Sequence, residues 1–179
     1  ALGARIAEKK GINYILTYHN DLVGKNFLMN LISKFYYQAI GFKTLELSKL
    51  IITTSGYYAK NSPYLSKFND KLRVISPGVD IEKYKIERNN FLKNKYDLNE
   101  EKTVLFVGQL NKESVHKGLD YLIRAVALLT KKINLKLIVV GTGNNMDHYE
   151  NLGRKMGINS LFVGYVEEND LPKYYNGVD

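Results

Sequence analysis

The 179-residue chain has no cysteine, no tryptophan, only three prolines and three histidines, and no long apolar run. Each absence closes off a class of chemistry. Without cysteine there are no disulfides, thiolate metal sites or cysteine nucleophiles. The histidines (His19, His116 and His148) are scattered, and no Asp-x-Asp occurs, so no metal-ligating cluster is visible. No apolar run approaches the ~20 residues that span a bilayer. The opening "ALGARIAEKKG" lacks the apolar core of a signal peptide and reads as the back end of an amphipathic helix. With no initiating Met and an abrupt finish at "YYNGVD", the chain is expected to be an excerpt of a longer polypeptide.

What is present suits a soluble α/β protein. The chain is 45% hydrophobic and 25% charged, enough for a real core under an ordinary charged surface. It carries 26 basic and 18 acidic side chains, a net charge of +8 that invites anionic partners. The excess is dispersed: 11 basic and 6 acidic residues fall before Lys83, 15 and 12 from there on, and no basic run exceeds two. That pattern reads chiefly as a solvated surface.

Short runs rich in Ile, Val, Leu and Phe alternate with helical patterns. Candidate strands are Tyr14–Tyr18, Leu50–Thr53, Leu72–Ser76, Val104–Val107, Leu135–Val140 and Leu161–Val163. They lack strict period-two alternation and are expected to be buried on both faces of parallel sheets. In "GLDYLIRAVALLTKK", Leu119, Leu122, Ile123, Val126 and Leu129 form one helical stripe. "MDHYENLGRKMGI" reads as a second helix, with Gly157 as its stop. This is β-α-β-α-β at the spacing of right-handed crossovers. Pro77-Gly78, followed by a charged stretch to Asn90, marks a boundary. Two α/β segments are expected, 1–82 and 83–179.

The most informative stretch is "VLFVGQLNKESVHKGLDYLI", Val104 to Ile123. In open α/β sheets, ligands bind beyond the carboxyl ends of the strands, where Gly108 and the loop Gln109–His116 lie. Gly108 permits a sharp turn and close approach. A helix starting near Gly118 offers unpaired N–H groups and a positive dipole end, and Lys117 adds a full charge there. These features fit a receptor for phosphate or diphosphate. An ordinary surface lysine before a glycine-started helix fits equally. The second glycine pair, Gly141 and Gly143 in "VVGTGNN", has Met146 where a dinucleotide fingerprint needs a third glycine, and reads as a tight strand-to-helix turn.

Taken in order, "VISPGVDIEKY", "VLFVGQL…HKGLDYLIRAVALL", "LKLIVVGTG" and "LFVGYVEENDLPKYYNGVD" resemble the nucleotide-sugar-binding half of glycosyltransferase family 4, retaining enzymes with the two-Rossmann GT-B fold. Upstream, "ILTYHND" and "LIITTS" resemble the last strands of that family's acceptor-binding half. The resemblance implies two Rossmann-like parallel-sheet segments of GT-B type, both incomplete: 1–82 on the acceptor side and 83–179 on the donor side. It implies a hexosyltransferase-type enzyme (EC 2.4) that moves a sugar from a UDP- or GDP-linked donor to a hydroxyl of a glycan or lipid-linked acceptor. No cofactor or metal is implied. Lys117 matches the lysine on the donor diphosphate, with Gly108, Gln109 and Gly118 beside it. Gln109 stands where the family carries arginine and brings no charge, a gap that Lys112 or His116 could fill. Tyr165, Val166 and Glu167 match the base-pocket segment, and His19 matches a catalytic histidine near the transferred sugar. The family's Glu-x-x-x-x-x-x-x-Glu motif would fall beyond Asp179, so a segment with these bounds is expected to be nearly inactive alone.

Two rivals remain at this stage: another GT-B enzyme such as a sugar-nucleotide epimerase, and a non-catalytic polyanion binder. Against nucleic acid, the 14 tyrosines are not interleaved with basic residues as a stacking platform requires. A cytoplasmic location is expected. In Leu22–Lys49, Phe27, Leu28, Leu31, Ile32 and Phe35 form an apolar stripe flanked by Lys25 and Lys34. This helix is expected to pack on its own sheet, the alternative being peripheral contact with an anionic inner-membrane face.

Overall fold

The computed structural model describes residues 2–22, 26–98 and 101–179. The chain divides into two compact units, Ala1–Val79 and Asp80–Asp179.

In the first unit the elements run α1 (Leu2–Lys9), β1 (Ile15–Tyr18), α2 (Phe27–Tyr36), α3 (Phe42–Glu46), β2 (Leu50–Thr53), α4 (Gly56–Asn61) and β3 (Leu72–Val74). The three strands form a parallel sheet in the order β1-β2-β3. Helix starts are set by side chains that cap orphan amides: Asn26 Oδ1 accepts from Met29 N–H and Ser55 Oγ from Tyr58 N–H. Leu45, Ile51, Leu65 and Phe68 form the core, with Tyr37, Tyr58 and Tyr64 packed around them.

Two expectations fail in this unit. Neither edge strand is buried on both faces: Ile15 of β1 is 61% exposed and Val74 of β3 51%, while Leu16, Tyr18 and Leu72 pack on the core. Nor does α2 pack its stripe on the sheet. None of its residues is buried, and Phe27 is 86% exposed. Three strands of three or four residues make a small platform, which α3 and α4 already occupy through Leu45 and Ala59. The π-helical turn Tyr37–Gly41 between α2 and α3 also shifts the helix phase, so the stripe is not continued onto the buried face of α3. Lys25, the other flank of that stripe, lies outside the described residues.

The second unit runs α5 (Phe91–Tyr96), β4 (Lys102–Val107), α6 (Leu119–Leu129), β5 (Leu135–Val140), α7 (Met146–Lys155), β6 (Asn159–Gly164) and α8 (Leu171–Asn176). Its sheet is parallel, in the order β4-β5-β6, with Val104 opposite Leu137 and Val107 opposite Val140. Here the apolar stretch Leu137–Val140 of β5 behaves as the sequence predicts. Alternate residues of β5 enter two different cores. Leu137 and Val139 meet Leu119, Ile123 and Val126 of α6 and Tyr149 of α7. Ile138 and Val140 meet Leu92, Leu98 and Tyr174 on the other face. A strand covered by helices on both sides must be apolar at every position. Gly157, at φ +68, ends the α7 segment.

The chain's last residue is tied to the start of β4. The Asp179 carboxylate accepts from Lys102 Nζ (2.8 Å), Thr103 N–H (3.0 Å) and Thr103 Oγ1 (3.0 Å). Lys102 above all, with Thr103, holds its carboxyl down at about 2. A carboxyl depressed in this way stabilises the fold above its unfolded pKa of about 3.9, and the contribution disappears as pH falls through about 2. Thermal unfolding of Asp179→Asn should therefore show a lowered midpoint at neutral pH, with the gap to wild type closing between pH 4 and 2. A gap independent of pH would mean that the ion pair contributes nothing to folding.

Candidate functional site

At the carboxyl ends of β4, β5 and β6 lies a cavity of about 290 Å³, lined by Gly108, Gln109, Gly141, Thr142, Tyr165 and Val166 among others. The parallel strands all deliver their following loops to this edge, so it is where the sheet can hold a ligand. A larger cavity of about 370 Å³ in the same unit is bordered by Arg88, Lys93, Lys102, Asn176 and Asp179. It adjoins the start of β4, and Lys102 and Asp179 there already neutralise each other.

The sequence placed an anion receptor at Lys117-Gly118, and the structure shows how that dipeptide is shaped. Residues Lys112–Lys117 form a 3-10 helix that runs directly into α6. Gly118 is the joint between them, at φ +82, a conformation that strains any residue with a Cβ. The kink turns Lys117 back over the end of β4. A Cβ placed on Gly108 would stand 3.2 Å from Lys117 Cδ and 3.3 Å from the Phe106 ring. Gly108, which lines the cavity, and Lys117, which is not among its lining residues, are thus brought together although nine positions apart. Lys117 is solvent-exposed, as are Lys112 and His116.

The amino end of α6 is not a vacant receptor. Asp120 occupies its first turn, and Nε2 of His148 in α7 lies 3.5 Å from its Oδ2. The helix dipole is therefore shared between Asp120 and any incoming anion. His116 turns to its own helix, its Nδ1 lying 3.1 Å from Glu113 O. On the opposite wall, Tyr165 is 68% exposed and its hydroxyl donates to Glu167 Oε2 at 3.4 Å. Gly108, Gln109, Tyr165 and Val166 line one cavity, whereas Glu167 reaches it only through Tyr165 and Gly118 acts as the hinge. Thr142, between the two glycines of "VVGTGNN", was not singled out from the sequence. A polar residue at the carboxyl end of a buried strand was the available signal.

The same glycine pair has a firm structural cause. A Cβ on Gly141 (φ +138) would lie 1.9 Å from Gly108 O, and one on Gly143 would lie 2.3 Å from Leu110 C. The two loops approach too closely for any side chain. Gly141 and Gly143 therefore fit backbone against backbone rather than leaving room for a phosphate.

His19 belongs to the first unit, exposed just after β1. Two residues on, Asp21 Oδ1 accepts from Tyr18 Oη (3.0 Å) and from Ser62 Oγ (2.8 Å), which ties the loop that carries His19 to the end of α4. Burial, and after it the Asp21 carboxylate, push the Tyr58 hydroxyl up to about 12 and raise that of Tyr18 as well. A cavity of about 160 Å³ bordered by Tyr18, Asn20, Tyr37 and Tyr64 opens beside this loop.

A family model described as Glycosyl transferases group 1 matches residues 88–179, more than half of the chain. An uncharacterized glycosyltransferase of Methanocaldococcus jannaschii is 27% identical over 186 residues, covering 99% of this chain and 47% of that protein. The D-rhamnosyltransferase WbpZ of Pseudomonas aeruginosa is 24% identical over 157 residues, covering 87% of this chain and 38% of that protein. Among solved structures, Anabaena HepE in complex with UDP superposes with a TM-score of 0.73 at 19% identity, over 99% of this chain and 48% of that one. WaaG, a glycosyltransferase involved in lipopolysaccharide biosynthesis, superposes at 0.65 and 18% identity, over 98% and 54%. These likenesses show the GT-B fold. The chain spans about half, or less, of the length of the curated relatives it matches.

Proposed function

The chain belongs to the Glycosyl transferases group 1 family, and from that premise we propose that it is part of a retaining enzyme of glycosyltransferase family 4. The whole protein would transfer a hexosyl group from a UDP- or GDP-linked donor to a hydroxyl of a glycan or lipid-linked acceptor. Asp80–Asp179 would take the donor and Ala1–Val79 the acceptor. The observation that carries this reading is the return of Lys117 over Gly108, a glycine that itself lines the cavity beyond β4.

In this reading the nucleotide base lies toward Tyr165, Val166 and Glu167, and the diphosphate lies between Gly108, Gln109 and Lys117. Departure of the diphosphate leaves charge on its oxygens. Lys117 is placed to stabilise that charge as it develops, and no metal is assigned a role. Gln109 contributes an amide donor where the family carries a guanidinium, so Lys117 bears more of the electrostatic work than usual. His19 is assigned to the region of the transferred sugar.

The charge distribution favours this reading over a polyanion binder. The first unit carries 11 basic and 4 acidic residues, whereas the second carries 15 and 14. The candidate cavity thus lies in a nearly neutral unit and relies on one placed lysine rather than on a general field.

Calorimetric titration of the intact polypeptide with UDP, GDP and ADP tests it. One diphosphate should bind saturably, and Lys117→Ala should weaken that binding at least tenfold, ~1.4 kcal/mol, a modest loss for a charge-assisted phosphate contact. Equal binding of all polyanions with a steep salt slope would favour the binder instead.

A further inference from the structure

The loops after β4 and β5 are hydrogen-bonded to each other. The parallel ladder continues beyond the strands. Gly108 N–H donates to Val140 O (3.0 Å) and Leu110 N–H to Thr142 O (2.9 Å). At the next step, Lys112 N–H donates not to a backbone carbonyl but to Asn144 Oδ1 (3.0 Å). In return Asn144 N–H donates to Asn111 Oδ1 (3.2 Å), and Asn145 N–H donates to Leu110 O (2.8 Å).

Asn111 stands at the N-cap of the 3-10 helix Lys112–Lys117, where an asparagine ordinarily accepts from an amide of its own helix. Its side chain makes no such bond. Instead it reaches 33 residues along the chain, and Asn144 supplies the acceptor for the first amide of that helix. Each asparagine satisfies an amide at the other loop. Local capping would have directed the Asn111 oxygen to the second or third amide of its own helix without linking the loops. The link fixes the origin of the 3-10 helix relative to the sheet, and Lys117 is the last of the six residues of that helix, about two turns in all.

We propose that Asn111 and Asn144 are positioning residues for the donor site, acting as a reciprocal clamp that holds the 3-10 helix so that Lys117 stays over Gly108. This inference rests on the donor-site reading above. Neither asparagine touches the ligand in it.

The test compares wild type, Lys117→Ala, Asn144→Ala, Asn144→Asp and the Asn111→Ala/Asn144→Ala pair in the intact polypeptide. UDP and GDP titrations are read beside amide hydrogen exchange of residues 109–118. Asn144→Ala is expected to weaken diphosphate binding about tenfold and to speed exchange at Lys112 while the thermal midpoint stays close to wild type. Asn144→Asp keeps the acceptor oxygen and should restore protection at Lys112. The double variant should lose little more than the single one, because two halves of one clamp are not additive. Unchanged binding in Asn144→Ala alongside weakened binding in Lys117→Ala would overturn the clamp and leave the donor site standing. No binding by wild type would overturn both. If Asn144→Ala fails to fold, the Asp variant decides: slow exchange at Lys112 with wild-type affinity supports the clamp, and fast exchange with wild-type affinity refutes it.

Discussion

Gly141→Ala should prevent the second unit from folding, a loss of more than about 4 kcal/mol, in the range reached only when a substitution meets a specific steric or polar obstacle. Two independent costs coincide. Gly141 sits at φ +138, a region that residues with a Cβ rarely adopt, and the added carbon would stand 1.9 Å from Gly108 O. That oxygen cannot retreat cheaply. The Gly108 amide is bonded to Val140 O and the Gly141 amide to Gly164 O, so the three strand ends are locked to one another at this point. Gly157→Ala separates the two costs. Its φ is +68, yet its Cβ would meet nothing within 4 Å, so only the left-handed conformation is penalised, by about 1–2 kcal/mol. Chemical denaturation of both variants gives the comparison. A Gly141→Ala protein as stable as Gly157→Ala would mean that the loops can part without loss.

Leu137→Ala is expected to cost about 2–5 kcal/mol, the usual range for a fully buried leucine whose surroundings close only partly around the space left behind. Leu137 is completely buried at the centre of β5, between β4 and β6 and beneath α6 and α7. Phe27→Ala is the informative control. Phenylalanine is larger than leucine, but at 86% exposure its removal should change stability by less than about 0.5 kcal/mol. Urea unfolding of both variants measures the difference. A large loss from Phe27→Ala would show that α2 is covered in solution and that its stripe belongs to a core after all.

These two predictions differ in how much of them could be read from residue order. The apolar run Leu137–Val140 announces a doubly covered strand, since each of its positions enters one of two helix-covered cores, and the stripe of "GLDYLIRAVALL" announces the helix that meets it. The parallel β-α-β-α-β order follows from the same spacing. In the candidate site, the lysine-glycine pair at the start of α6 stood out as a candidate from residue order, because the residue types and the end of the strand coincide locally. The role of "VVGTGNN" was not. Its glycines look like any tight turn until a second loop is found packed against them. The exposure of α2 was equally hidden, because an amphipathic pattern states which face is apolar and not whether anything covers it. The Asn111–Asn144 exchange could not be read at all: an asparagine at a helix start signals a local cap, and nothing in its neighbours reveals that its side chain turns elsewhere.

Residue order alone settled the fold class, the succession of strands and helices, and the membership of one strand-loop-helix unit in a recognisable pattern. Those properties depend on periodicity and on short-range chemistry, both of which are written along the chain. Folding in space settled which loops touch, which glycines are obligatory, that His148 of α7 stands beside Asp120 in the first turn of α6, and that Lys117 lies over Gly108. These depend on contacts between residues far apart in sequence, whose energies exist only once the sheet has set the two loops side by side.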